Sequence, residues 1–384
     1  MKEEILLTKV FEQPIYVTRP LLPNKEEVYK KIDEIWESKW ITNNGRQLRN
    51  LEEKLKNHLK INNISLFNNG TMALILGLKS LNLRGEVITT PFTFPATTQA
   101  LDWNNLTPIF CDIEPDTLNI NADLIEPLIT ENTSAILAVH VFGNPCEVEK
   151  IQQVASKYNL KVIYDAAHAF GTIVNGKPIG SYGDMSMFSF HATKLFNTIE
   201  GGALTFNDNT LSEKLELLKN FGLKESEKVI LSGLNAKMNE IQAAIGLEVL
   251  NSVEIERLKR DKIKRTYETH LQNIPGIRII TRLEKELSSY QYFVIEVDEV
   301  LFGKSRDWLQ KELEKYNIYT RKYFYPLCSD FYWYKNNKSA DSLSLPQAYK
   351  SVNQVLALPY YGDLSIQNVI TICEIIRDLH INLN

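Results

Sequence analysis

The chain has 384 residues, 44% of them hydrophobic and 23% charged, with a net charge of −4. That length predicts one large unit and a smaller one, and the composition excludes a disordered chain. The mild negative balance, without any Lys/Arg run, argues against nucleic-acid binding. No apolar stretch approaches the roughly 18 residues of a membrane span.

The first residues, MKEEILLTKVFEQ, carry early acids and predict no secretion signal. Leu51 to Leu59 has the apolar spacing of an amphipathic helix. Ile64 to Phe67 is a short apolar run that stops at Asn68-Asn69-Gly70, and Thr71 to Leu81 is again helical. Strand patterns follow at Glu86–Thr90, Pro108–Ile113 and Ser134–Phe142, then a helix at Cys146–Tyr158 and a strand at Lys161–Tyr164. Met185–Phe190 and Ala203–Phe206 are further strand-like runs. Short apolar strands interleaved with helices predict a mostly parallel sheet covered on both faces, an α/β fold. Met238 to about Gln272 predicts one long, increasingly charged helix leading away from this unit. Strands at Ile277–Ile280 and Tyr290–Val297 and helices at Arg306–Tyr316 and Ile366–Leu379 then predict a small α+β unit. The expected division is residues 1–250, with an N-terminal arm over 1–30, and residues 251–384. Cys111, Cys146, Cys328 and Cys373 are scattered in or beside apolar runs without CxxC spacing, so neither disulfides nor a zinc site is expected; a reducing cytoplasmic setting fits.

Three elements carry the chemistry. At Asn69-Gly70-Thr71 a strand meets a helix start, where free N–H groups and the positive end of the helix dipole suit an anion. Alone, this turn reads better as an ordinary capped helix. Asp165 closes the apolar run Val162-Ile163-Tyr164, at the strand end where α/β sheets bind ligands; a loop cap explains it equally well. Lys194 follows another apolar strand and precedes Gly201-Gly202, a setting that favours a neutral, nucleophilic amine, although most single lysines are solvated. Together with Phe94 they supply what pyridoxal 5′-phosphate (PLP) requires: a phosphate nest, an amine for its aldehyde, an aromatic against the ring and a carboxylate for the ring nitrogen.

Over nearly its whole length the chain resembles the DegT/StrS family of sugar aminotransferases, fold-type I PLP enzymes. The most specific segment is FSFHATKLFNTIEGG, Phe188 to Gly202. NNGTMAL from Asn68, TPFTFPAT from Thr90, CDIEPDTLNI from Cys111, VHVFGNPC from Val139, YDAAHAFG from Tyr164 and GLNAKMNEIQAAIG from Gly233 support it, as do RKYFYPLC from Arg321 and LALPYYGDLS from Leu356. The resemblance implies a large domain with a mostly parallel seven-stranded sheet and a smaller C-terminal α+β domain. It implies that Lys194 holds the cofactor aldehyde, Asp165 pairs with the ring nitrogen, His168 sits by the ring near its 3-hydroxyl, and Phe94 stacks on it. Gly70, Thr71 and Ser189, with Asn69 in the turn, would hold the phosphate, and Asn235 would reach the phosphate of a neighbouring subunit in a homodimer. Lys237 stands where many members have arginine, and Asn69 where many have serine.

The substrates so implied are a nucleotide-linked keto sugar and L-glutamate, which leaves as 2-oxoglutarate. Glu200-Gly201-Gly202 resembles members acting at C4, whereas those acting at C3 more often carry Asp. The segment as a whole looks most like members that aminate dTDP-4-keto-6-deoxyglucose for O-antigen or other surface glycans, with GDP- or UDP-linked 4-keto sugars and 3-keto sugars as alternatives. His191, Lys237, Arg321, Lys322 and the aromatics Tyr323, Tyr325, Tyr360 and Tyr361 are candidates for sugar-nucleotide contact, with domain packing the better explanation of the tyrosines. Lysine at 194 disfavours the dehydratases of the same scaffold, which carry histidine there. Retention of Lys194, Asp165 and the phosphate turn disfavours a non-catalytic regulator. A nucleotide-sugar dehydrogenase or epimerase would need an N-terminal GxGxxG, which is missing.

Overall fold

The computed structural model describes residues 10–280 and 287–381; the start of the expected N-terminal arm, residues 1–9, lies outside them. The arm itself ends early, because Lys25–Ser38 (α1) is a helix capped by the Asn24 side chain. Its apolar residues Val28, Tyr29, Ile32, Ile35 and Trp36 fall at helical spacing, although only Ile35 is fully buried.

The main sheet is built from β1 (Ile64–Phe67), β2 (Glu86–Thr89), β3 (Thr107–Phe110), β4 (Thr133–Val139), β5 (Lys161–Asp165), β6 (Met185–Ser189) and β7 (Gly202–Phe206). Its seven strands run in the order β1-β7-β6-β5-β4-β2-β3, with β7 antiparallel to both neighbours and the remaining pairs parallel. Parallel strands are buried on both faces, and β4 and β5, each parallel to both neighbours, accordingly read as near-continuous apolar runs. One face is covered by α2 (Arg46–Leu59), whose Leu48, Leu51, Leu55 and Leu59 form a buried stripe at helical spacing. Beneath β1 and β7 lies α3 (Gly70–Ser80), and α4 (Pro95–Asp102) begins with proline in its first turn.

The long helix expected from Met238 to Gln272 is two helices: α5 (Glu240–Leu250), opened by an Asn239/Gln242 capping box, and α6 (Val253–Leu271). The break falls at Asn251-Ser252, residues whose side chains compete with helical backbone bonding. The first helix is apolar on most sides and packs on α2, whereas the second carries the charges and contributes Ile263, Tyr267 and Leu271 to another core. That core lies against an antiparallel three-stranded sheet of β8 (Ile277–Ile279), β9 (Phe293–Val297) and β10 (Val355–Leu358), with α7 (Arg306–Lys315) and α8 (Ile366–Ile381). The strand expected from Tyr290 begins only at Phe293, since Tyr290 has a φ of 49° and leaves the extended region. Among the described residues no helix is long and apolar enough to cross a membrane.

One close approach fixes where the start of α3 sits on the sheet. A Cβ on Gly202 would lie 2.6 Å from both the N and Cα of Gly70, so glycine at both positions lets the first turn of the helix settle against β7. We predict that Gly202→Ala, which must displace backbone and not a side-chain tip, destabilises the protein by about 1–3 kcal/mol. It should also loosen the turn at Asn69–Thr71; thermal unfolding, together with phosphate or cofactor retention on a desalting column, checks both.

Candidate active site

A cavity of about 420 Å³ opens at the carboxyl ends of the parallel strands, where a doubly wound sheet offers its ligand site. Its walls include Asn69, Gly70 and Thr71 from the start of α3, Phe94 before α4, Asp165 at the end of β5, His168 just beyond, and Ser189, His191 and Lys194 after β6. Arg321, Tyr323 and Phe324 close it from the side of the small sheet. The phosphate turn, the strand-end acid and the strand-end lysine, far apart in sequence, therefore face one space.

Each is held for a reason that can be traced. The Asn69 side chain caps α3 by accepting from the Met72 N–H at 2.8 Å, which leaves the Gly70 and Thr71 N–H groups without intrahelical partners and directed to the cavity end of the helix. Lys194 rides on a loop whose apolar neighbours Phe190, Leu195 and Phe196 are buried in the main core, where Phe196 packs on Phe170 and Phe190 at 4.8 and 4.7 Å. Its Nζ lies 5.9 Å from the centre of the buried Tyr292 ring. Burial pushes the amine down to about 8, helped by the Arg321 guanidinium and opposed by Tyr323 and Asp165. Roughly two orders of magnitude more neutral amine is then present at neutral pH than on an exposed lysine.

Asp165 is pushed up by burial, offset by the Thr97 hydroxyl, the Ala167 N–H and Lys194. Thr97 donates to Oδ2 at 2.7 Å and the Ala167 N–H to Oδ1 at 3.0 Å, and Thr97 in turn bonds Thr93 at 2.7 Å. Each carboxylate oxygen keeps acceptor capacity for one more donor. His168 lies beside Phe142 and Phe324, nearly parallel to both, with ring centres 6.4 and 5.8 Å away. Burial, with Lys194 nearby, holds its pKa well below the usual histidine range, so the imidazole is neutral; its buried Nδ1 has no partner.

Residues 23–377 match the family described as the DegT/DnrJ/EryC1/StrS aminotransferases. The chain is 43% identical over 368 residues to a dTDP-4-amino-4,6-dideoxy-D-glucose transaminase of Shigella dysenteriae, covering 96% of this chain and 100% of that protein. It is 44% identical to the Escherichia coli protein of the same name, covering 95% and 98%. This chain belongs to the DegT/DnrJ/EryC1/StrS aminotransferase family. Among solved structures, DesI in the presence of its TDP-sugar product superposes with a TM-score of 0.91 at 34% identity, over 96% of this chain and 93% of that one. A sugar aminotransferase Spr1654 of Streptococcus pneumoniae in its PLP form gives 0.88 at 26%, over 96% and 99%. The protein is a PLP-dependent aminotransferase.

The cavity fits that cofactor. A cradle of two free N–H groups stands beside Ser189, so close that a Cβ on Gly70 would come within 3.0 Å of the Ser189 Cβ. An acceptor with spare lone pairs, an orphaned imidazole nitrogen and a largely neutral amine share the remaining space.

Not every residue that the DegT/StrS resemblance points to lies in the cavity. Asn235 and Lys237 lie outside their own chain's cavity, where Lys237 Nζ bonds Asn220 at 2.8 Å and Asn235 at 2.9 Å. Lys322 pairs with Asp307 at 2.7 Å, Tyr325 is exposed beside Arg306, Tyr360 donates to the Arg260 carbonyl and Tyr361 lies under Arg19; none of the four lines the cavity. Conversely, Thr93, Thr97, Tyr292 and Phe324 belong to the site or its support, and sequence reasoning gives them no role; Glu200, read there as a sign of action at C4, also lines the cavity. Thr93 and Thr97 flank Phe94 within TPFTFPAT, where the motif is the available signal.

Thr97 supports the charged form of Asp165, so its loss lets the neutral acid persist to higher pH. Thr97→Val should move the acid limb of the kcat/KM profile upward by about one pH unit, the size expected for one hydrogen bond to a charged group. A pH–rate series on the two proteins measures it.

Proposed function

We propose that the protein transfers an amino group from L-glutamate to C4 of dTDP-4-keto-6-deoxy-D-glucose, giving dTDP-4-amino-4,6-dideoxy-D-glucose for surface-glycan (O-antigen) synthesis. It would act as a cytoplasmic homodimer. The observation that carries the chemistry is the convergence of Lys194 and Asp165 on one desolvated cavity. What supports the sugar is the near end-to-end similarity to the two dTDP-sugar transaminases. GDP-perosamine synthases are more distant, at 30–34% identity.

In this reading residues 1–250 form the cofactor unit and 251–384 the small unit that closes over the substrate. Lys194 would bear the cofactor. Gly70, Thr71 and Ser189, with Asn69 shaping the turn, would hold its phosphate, and Phe94 would cover one ring face. When bound, PLP supplies an electron-accepting ring that stabilises negative charge at the carbon losing a proton. Asp165 would keep the ring nitrogen protonated, and neutral His168 would bond a ring oxygen. Lys194 Nζ takes a proton from Cα of glutamate in one half-reaction and delivers one to C4 of the sugar in the other, work suited to an amine titrating near the operating pH. Arg321, Tyr323 and His191 would meet the substrates. Asn235 and Lys237, outside their own cavity, would serve the cavity of the second copy.

Incubation with glutamate and a panel of dTDP-, GDP- and UDP-linked 4-keto and 3-keto sugars, read by product mass, tests the assignment. The dTDP-4-keto-6-deoxyglucose should turn over at least about tenfold faster than the others; preference for another base or carbon overturns the substrate. Lys194→Ala should lose about 10³-fold or more in turnover and the visible absorbance of the protein-linked cofactor. Retention of both would refute the chemistry.

A further inference from the structure

Gln291 is buried, 1% exposed, in the segment that leads into β9 of the small sheet. Its Oε1 accepts the Leu195 N–H at 2.9 Å and its Nε2 donates to the Thr193 carbonyl, also at 2.9 Å. One amide thus bonds the main chain on both sides of Lys194. A side-chain amide donates and accepts with one planar group, and a glutamine is rarely fully buried unless both halves are satisfied.

The residues beside it point the same way. Ser289 is bonded to the His168 carbonyl, and the Tyr290 carbonyl accepts from Arg260 at 3.2 Å. The Tyr292 ring packs edge-on against His168 at 5.0 Å and is the ring above which the Lys194 Nζ lies. Ser289, Gln291 and Tyr292 therefore tie the approach to the small sheet to residues of the cavity, while Tyr290 between them is held by Arg260 of α6. A lysine side chain has four rotatable bonds and no fixed direction of its own. The main chain at its root is the part a neighbour can fix, and here the neighbour is Gln291.

We infer that Gln291 is a positioning residue: it fixes the main chain at Lys194 and so sets where the amine stands relative to Tyr292 and Asp165, coupling the lysine to the small sheet. The inference rests on the proposed role of Lys194. A misplacement of the order of 1 Å at a reacting group costs up to about 10²-fold in rate without a matching loss of binding.

The test uses Gln291→Leu, which removes both bonds, and Gln291→Asn, which keeps the amide one methylene short. The readouts are unfolding temperature, kcat and KM for both substrates, and the pH midpoint at which Lys194 of the cofactor-free full-length chain is reductively methylated by formaldehyde and cyanoborohydride, followed by peptide mass. The groups facing the amine are Asp165, His168, Tyr292, Arg321 and Tyr323, and none is altered. Both variants should lose about tenfold or more in kcat, keep each KM within about twofold, and move the midpoint from about 8 toward the ordinary lysine value. A variant that unfolds at the wild-type temperature yet keeps kcat within about twofold and the midpoint unchanged overturns the inference. Loss of the fold in both variants overturns it too, because Gln291 would then serve global stability. If Lys194→Ala also retained turnover, the role of the lysine itself would fall; if Lys194→Ala is dead and the Gln291 variants are silent, only the positioning role falls.

Discussion

Burial of a lysine and a carboxylate around one cavity is the constraint to which the rest of this structure answers. Each charge alone would be expensive to desolvate, and burial drives both groups toward neutrality. Their attraction opposes that drift without cancelling it. Lys194 is left titrating near 8 while Asp165 retains two donors that favour its charge. Arg321 adds a second positive charge that helps to lower the amine, and His168, kept neutral by burial, does not add a third. The cavity can therefore hold an amine able to act as a base next to a carboxylate able to hold a proton on a ring nitrogen.

The parallel sheet makes this arrangement possible by ending several strands at one edge. Asp165 is the last residue of β5, Ser189 the last of β6, and the Asn69–Thr71 turn follows β1. The antiparallel β7 is inserted between β1 and β6 and begins with Gly202, the glycine that admits the start of α3. A bulkier residue there would move the N–H pair of Gly70 and Thr71 away from Ser189, so the Gly201-Gly202 signature has a packing cause as well as a familial one.

Much of this was legible in the sequence because it is local. Asp165 and Lys194 stand at the ends of apolar strands, and the turn at Asn68–Thr71 marks a strand-to-helix junction by composition alone. The division of Met238–Gln272 into two helices was harder to read, because apolar spacing runs on through Asn251-Ser252 and that polar pair is its local sign. Thr97 escaped notice because it reaches Asp165 across 68 residues, and Gln291 because it reaches the lysine loop across 96 to 98. Such hydrogen bonds have no periodicity, and a threonine or glutamine carries no sign of its partner. Asn235 and Lys237 illustrate the opposite case: their motif is visible, yet within one chain they bond one another away from the cavity.

The small sheet also reaches the cavity through Arg321. Arg321 is pinned by reciprocal main-chain bonds to Ala357 of β10, at 3.1 and 2.8 Å, and its guanidinium rests on the Tyr323 ring at 4.7 Å. Tyr323 in turn approaches Tyr292, whose ring lies below the Lys194 amine. A shift of that sheet would move the cation that helps lower the lysine, the ring beneath the amine and, through Gln291, the lysine's own main chain. Under the roles proposed for Arg321 and Lys194, substrate contact and proton transfer would therefore draw on the same sheet.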